Sequence, residues 1–351
     1  MINEIKKLCT LIKNAYGTLL YSIGSDGFDI SQSWLVKHLF PKSSFGVIYG
    51  KSGSRKTFIA IDISCSIATG TLWQNQSVIA GAVVYVAAEG QTGMSRRIKA
   101  WEIANSKKVE HLYILGQSLL VSEASARKTL IESIHDIENK NNIKVQLVVF
   151  DTLARNFDGD ENSSDAMGKF IHGCDLLKAE TDCSILCVHH CGKDASKGGR
   201  GSTALIGACD FEFQVTHNTK TQLTTLSNTK QKDAEPMPDL VFDFQTIDLG
   251  VVCEDNQPIT SLALTSQATI KKEKNDENNP ILIGLNEVFN GCCTRAELRT
   301  IFPLKEGVKA NTANQQFSRI LKELVETGKI TIQQSGEKAH PNDIITVLLS
   351  N

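Results

Sequence analysis

Eight consecutive residues, Gly50-Lys51-Ser52-Gly53-Ser54-Arg55-Lys56-Thr57, mix glycines, hydroxyls and cations directly after the apolar run Phe45–Tyr49 and before a longer amphipathic stretch. At such a strand-to-helix junction, backbone N–H groups and a helix N-terminus face outward together and favour an anion. Against the phosphate-loop pattern G-x-x-x-x-G-K-[ST], Gly50, Lys56 and Thr57 fall in register and Arg55 replaces the second glycine. The pattern assigns Lys56 to the β- and γ-phosphates of a nucleotide and the Thr57 hydroxyl to Mg²⁺, with Ser52, Gly53, Ser54 and Arg55 completing the loop. A left-handed backbone at Arg55 would cost about 1 kcal/mol for its Cβ. Gly53 would carry part of that strain, and the guanidinium would add positive charge near the phosphates. An isolated Gly/Ser-rich turn could also be ligand-free; the chain's other polar strand ends weigh against that.

Gln146-Leu-Val-Val-Phe-Asp151 is an apolar strand ending in an acid. An Asp at the carboxyl end of a buried parallel strand lies beside a phosphate loop and can hold the Mg²⁺ shell; alone it could equally cap the next segment. Ala82–Ala88 ends in Glu89-Gly90, where Glu89 could orient or deprotonate an attacking water, or be a solvated strand-end acid. Ser184–Val188 leads into His189-His190, and a polar residue there could sense a γ-phosphate and signal to the segment behind it. That segment is Gly-rich and carries Lys193, Lys197 and Arg200, so it could move, touch a nucleic-acid backbone or reach a neighbouring subunit, or be a solvated loop. Zinc is disfavoured, because Cys187 to Cys191 crosses a strand whose side chains alternate and no paired CxxC occurs.

These groups need a scaffold of parallel strands. Strands are expected at Phe45–Tyr49, Ala82–Ala88, His111–Leu115, Gln146–Phe150 and Ser184–Val188, with helices at Thr57–Thr69, Gly93–Asn105, Ala124–Lys140 and Asp165–Glu180. Near-continuous apolar strands separated by helices predict an α/β fold with a mainly parallel sheet covered on both faces. Beyond Ala208 short alternating runs predict antiparallel strands at the sheet edge, through Leu240–Asp248 and Thr260–Leu264. Residues 1–44 read as a helical lead-in, 45–265 as the main domain and 266–279, nearly devoid of apolar residues, as a linker. From 280 to 351 the order helix, helix, helix, strand, strand resembles a winged helix, with Thr294 and Glu297 at capping-box spacing.

At 351 residues and 41% hydrophobic, the chain can bury a full core and hold more than one domain. The formal charge of -2 excludes a polybasic coat for nucleic acid but leaves room for a local basic groove. No apolar run approaches the roughly 18 residues of a membrane span, and the polar N-terminus is not a secretory signal. Ten scattered cysteines then fit buried free thiols in a reducing cytoplasm.

Between about Trp34 and Asp248 the chain resembles the RepA-like branch of the RecA-fold (DnaB-like) hexameric helicases, the AAA-type ATPases of plasmids and phages. The residues that carry the resemblance are the Gly50–Thr57 loop, Ala87-Ala88-Glu89-Gly90, Arg96-Arg97-Ile98-Lys99-Ala100-Trp101, Asp151-Thr152-Leu153-Ala154-Arg155, Gly159-Asp160-Glu161-Asn162, His189-His190 and Arg200-Gly201-Ser202. The resemblance implies a RecA-like P-loop NTPase core assembled as a ring, often a hexamer, with ATP and Mg²⁺ at subunit interfaces and single-stranded DNA through the centre. It implies Glu89 as catalytic acid/base, Asp151 for Mg²⁺, and His189 or His190 as γ-phosphate sensor. Arg200 would be a finger supplied in trans, with Lys230 or Lys232 as further candidates.

An ATP-driven DNA helicase or translocase for plasmid, phage or mobile-element replication is the expectation. The alternative is a nucleotide-gated scaffold that loads or regulates other replication proteins with little or no turnover. A small-molecule kinase fits the later motifs and the appended winged helix less well. The 280–351 unit carries eight Lys/Arg against seven Asp/Glu, so DNA reading by Asn311, Thr312, Asn314, Gln315, Gln316 and Arg319 and protein docking stand level.

Overall fold

The computed structural model describes residues 14–16, 19–21, 23–88, 91–191, 202–264, 269–270, 279–302, 310–326, 328–336 and 339–348. The chain divides into two compact units, Met1–Lys271 and Lys272–Asn351.

In the first unit, Val, Ile and Ala runs too apolar for a solvated face become strands buried on both sides. They are β5 (Phe45–Gly50), β6 (Ala82–Ala87), β7 (Leu112–Leu115), β8 (Val145–Asp151), β9 (Ser184–His190) and β10 (Phe211–His217). Hydrogen bonding sets the order β7-β6-β8-β9-β5-β10, every pair parallel. The antiparallel strands β11 (Thr224–Gln231), β12 (Leu240–Phe242) and β15 (Thr269–Ile270) extend the sheet beyond β10.

Strand alternation sorts side chains onto two faces. Ile48, Tyr85, Ala87, Val149 and Val188 share one core with Ile59 and Ile63 of α1 (Lys56–Thr69) and Trp101 of α2 (Gln91–Asn105). Val47, Tyr49, Val148, Phe150 and Cys187 share the other with Ile134 of α3 (Ala124–Asn141) and Phe170 of α4 (Ser164–Thr181). Among the described residues the cysteines are unpaired, and burial pushes the thiols of Cys65, Cys174 and Cys187 well up. No described helix is long and apolar enough to cross a membrane.

Four expectations need correction. The first strand beyond Ala208, β10 over Phe211–His217, is not an antiparallel edge strand: it runs parallel to β5 within the sheet, and the antiparallel pairing begins only on its other side, with β11. The helical lead-in fails where it is described: β1 (Asn14–Tyr16) pairs antiparallel with β2 (Leu19–Tyr21), and residues 23–44 form the short strands β3 (Trp34–Val36) and β4 (Phe40–Pro41), while 1–13 lie outside the described residues. A turn with His38 at φ 64 brings Leu35, Val36, Leu39 and Phe40, all essentially buried, into the first core, where Phe40 stacks on Phe211 at 4.4 Å. The expected strand Leu240–Asp248 breaks at Asp243. Its second half becomes β13 (Phe244–Val252), which leaves the sheet and pairs with β14 (Pro258–Leu264) in a separate ribbon packed on α2. Within the expected linker, Thr269–Ile270 is the edge strand on Leu240–Val241, and 271–278 lie outside the described residues.

The second unit is winged-helix-like: α6 (Pro280–Ile283) with a π turn at Gly284–Val288, β16 (Cys292–Thr294), α7 (Arg295–Ile301), α8 (Ala310–Glu326), β17 (Ile330–Gln333) and β18 (Ile344–Val347). β16 pairs with β18 beside β17, a strand the sequence pattern hid. Thr294 and Glu297 complete the capping box. Asp343, fully buried, accepts from the backbone N–H of Ser335 and His340 and from Arg295 Nε, and these bonds hold its carboxyl below the usual range. Asn314 Oδ1 accepts from Arg299 Nε at 2.9 Å, which ties up one of the expected base-reading amides.

Candidate nucleotide site

Register alone brings the strand ends together. Gly50 of β5 pairs with His190 of β9, and Asp151 of β8 lies between Val188 of β9 and Ala87 of β6. The crevice outside the carboxyl ends of parallel strands is where open α/β sheets bind ligands.

The loop 50–57 fills that end. Gly53 has φ 77, with open space around the Cβ an alanine would add. At Gly50 a Cβ would lie 2.2 Å from Val215 O and 2.7 Å from Ser54 Oγ, so only glycine lets the loop pack on β10. Ser54 N donates to Lys51 O at 3.1 Å, closing the turn. Lys56, only 5% exposed, donates from Nζ to Gly50 O at 2.9 Å and Lys51 O at 2.8 Å, and lies 3.5 Å from His190 Nδ1. Ser54 Oγ is buried with no hydrogen-bond partner among the described residues. An ammonium, an unused hydroxyl and the N-terminus of α1 form a donor set suited to phosphate. Half-buried Thr57 follows Lys56, and Asp151, 6% exposed, supplies a hard oxygen suited to Mg²⁺. The residues present therefore fit a nucleotide with its magnesium.

Arg55 adopts the left-handed conformation, φ 72 and ψ 19, where the pattern has glycine. Its side chain does not add charge at the loop's inner rim. It turns to the β10–β11 turn, donating to Gln222 O at 3.2 Å and Gln222 Oε1 at 3.0 Å, with the guanidinium 4.7 Å from the Phe244 ring centre. Phe244 meets Phe58 edge-on at 5.9 Å, and Arg97 of α2 lies 4.9 Å over Phe58. These contacts offset the Cβ strain.

Alternation separates the two histidines. His190 follows Leu186 and Val188 on the α1 face, with Lys56 and Asp151. His189, 1% exposed, pairs with Tyr49 and follows Cys187 on the opposite face. The γ-phosphate sensor is thus expected at His190. His190→Ala should lower ATP turnover at least ~10-fold, while His189→Ala should leave turnover within ~3-fold and lower only the melting temperature. Steady-state hydrolysis beside thermal melts checks both.

Lys230 and Lys232 do not join the phosphate loop of their own chain. Lys230 pairs with Glu212, itself level with Val47, about 10 Å down the strand from Gly50. Its Nζ donates to Ile206 O and Gly207 O near the C-terminal end of α5 (Thr203–Ala208), and Lys232 lies 3.6 Å from Asp210. Cationic groups at a helix C-terminus satisfy its carbonyls. Glu89 and Arg200 lie outside the described residues.

Two groups escaped notice in the sequence. Tyr85 donates its hydroxyl to Asp151 Oδ2 at 2.6 Å. Asp62 of α1 accepts from Trp73 Nε1 at 2.7 Å and from the Trp101 side chain; burial, outweighing both bonds, raises its carboxyl to about 7. A Tyr in an apolar strand reads as core, and an Asp among Ile residues as a helix surface, so neither carried a signal.

A glycine-lined loop between a buried parallel strand and a helix, its lysine turned inward on the face that carries a strand-end acid, defines a P-loop nucleotide-binding protein. Residues 22–196 match the family model described as an AAA domain. The chain therefore carries a RecA-like P-loop domain of the ATPase superfamily, whose span begins before β3 and so takes in the segment 23–44.

Proposed function

We propose that the chain is an ATP-dependent DNA helicase or translocase of plasmid, phage or mobile-element replication, working as a homo-oligomeric ring, a hexamer, on single-stranded DNA in the cytoplasm. The observation that carries this reading is the convergence of Lys56, Asp151 and His190 on one face at the ends of β5, β8 and β9, with the basic, Gly-rich sequence 192–201 one residue beyond His190.

In this reading the loop N–H groups and Lys56 Nζ bind and neutralise the phosphates, and Thr57 and Asp151 hold Mg²⁺. Magnesium held there would supply positive charge to offset that of the phosphates. Glu89 orients or deprotonates the attacking water. His190, against Lys56 Nζ, registers the terminal phosphate and passes its loss to the segment behind it. Arg200 is the finger offered to the neighbouring subunit's site. Lys230 is the weaker choice, since α5 carbonyls already take its ammonium.

The second reading, a nucleotide-gated scaffold for other replication proteins with little turnover, is favoured by one observation: Arg55 ties the loop to Gln222 and Phe244. ATP hydrolysis with and without single-stranded DNA separates the two. The motor requires turnover to rise at least ~5-fold with DNA; nucleotide binding with flat, negligible turnover leaves the scaffold.

A further inference from the structure

We infer that Tyr85 is a positioning residue for Asp151, fixing the rotation of the carboxylate that holds the magnesium of the bound nucleotide. The inference rests on the proposed role of Asp151 and names the group that prepares it.

Tyr85 lies on β6 opposite Val149 of β8, so Asp151 is its diagonal neighbour two residues along. Two residues of strand span roughly 6.6 Å, within the reach of a phenol. Tyr85 and Val149 point into the same core, beneath α1, the helix that the phosphate loop opens. The ring is fully buried among apolar side chains. A phenylalanine would serve that packing equally, and a buried hydroxyl is costly unless it is paired. Its partner is Asp151 Oδ2 at 2.6 Å, in the range of a charge-assisted O–H···O⁻ bond.

The consequence follows from carboxylate geometry. The terminal torsion of Asp is broad and roughly two-fold, so an unrestrained carboxylate samples many orientations. A donor on Oδ2 fixes the plane before any cation arrives. Magnesium demands near-ideal geometry and uses only one or two carboxylates beside nucleotide phosphates, so an oriented carboxylate matters more to it than to a permissive cation. Groups that orient a ligand in this way are worth 10- to 100-fold in metal affinity.

The test titrates Mg²⁺ against a fluorescent ATP analogue on the full chain, with a metal-free arm in EDTA, for wild type, Tyr85→Phe and Asp151→Asn. Tyr85→Phe is expected to raise the half-saturating Mg²⁺ concentration about tenfold while leaving metal-free nucleotide binding within about twofold. Asp151→Asn is expected to remove the Mg²⁺ enhancement. If Asp151→Asn does so and Tyr85→Phe keeps the wild-type midpoint, the inference fails and the role of Asp151 stands. If Asp151→Asn changes nothing, that role fails and takes the inference with it. An equal loss of metal-free binding in Tyr85→Phe overturns positioning in favour of simple packing. Should Tyr85→Phe not fold, Asp151→Glu breaks the 2.6 Å geometry with both groups present, and a wild-type midpoint there overturns the inference.

Discussion

Lys56→Ala is expected to lower ATP turnover at least ~10³-fold with the fold intact, a loss of about 4 kcal/mol of transition-state stabilisation. The magnitude follows from where the ammonium sits. It is almost wholly buried, held between the Gly50 and Lys51 carbonyls and facing His190, at the junction of β5, β9 and α1. Charge developing on a transferring phosphoryl group would meet this cation with little water between them, where an ion interaction is strongest. The loop's own closure, Ser54 N to Lys51 O, uses only backbone and survives the truncation. Phosphate release measured beside a thermal melt checks the expectation; a variant that keeps a tenth of wild-type turnover would contradict it.

The second large effect belongs to a group remote from phosphate chemistry. Burial raises the Asp62 carboxyl from 3.8 to about 7, against the hydrogen bonds of Trp73 and Trp101, which favour its ionised form. The sign is fixed by linkage. Between about pH 4 and 7 the folded chain keeps a proton that the unfolded chain has released, so the stability present below pH 4 is lost as pH rises through 7. A separation of about three pH units corresponds to about 4 kcal/mol. Asp62→Asn is neutral throughout and lacks this slope. Its unfolding free energy, measured in urea from pH 4 to 8, should gain about 4 kcal/mol relative to wild type across that range. Parallel curves would exclude the assignment. Asp62 lies beside Trp101 where α1 meets α2, between the helix after the phosphate loop and the helix after Glu89.

The parallel core was legible because its strands are apolar on both faces: Val83 to Val86 or Leu147 to Phe150 could occupy few other environments. The phosphate loop was legible because glycine, lysine and threonine at fixed spacing have few other uses together. What stayed hidden depends on the third dimension. Strand alternation distinguishes His189 from His190 only once the register with Tyr49 and Gly50 is known. Lys230 reads as an available cation until α5 ends beside it. The Trp34–Phe40 cluster read as helical from the spacing of its apolar residues, and packing on Phe211 and Phe213 holds it in two short strands instead. Asp243, between Phe242 and Phe244, gives no warning that one strand will become two in different sheets.

The arginine in the phosphate loop has a mechanical consequence. A glycine joint would move between hands freely and hold no memory of its surroundings. Arg55 holds the left-handed state at a steric cost and is anchored by Gln222 in the β10–β11 turn and by Phe244 at the start of β13. The backbone hand of the joint before Lys56 is therefore held from outside the loop, by residues 167 or more positions further along the chain.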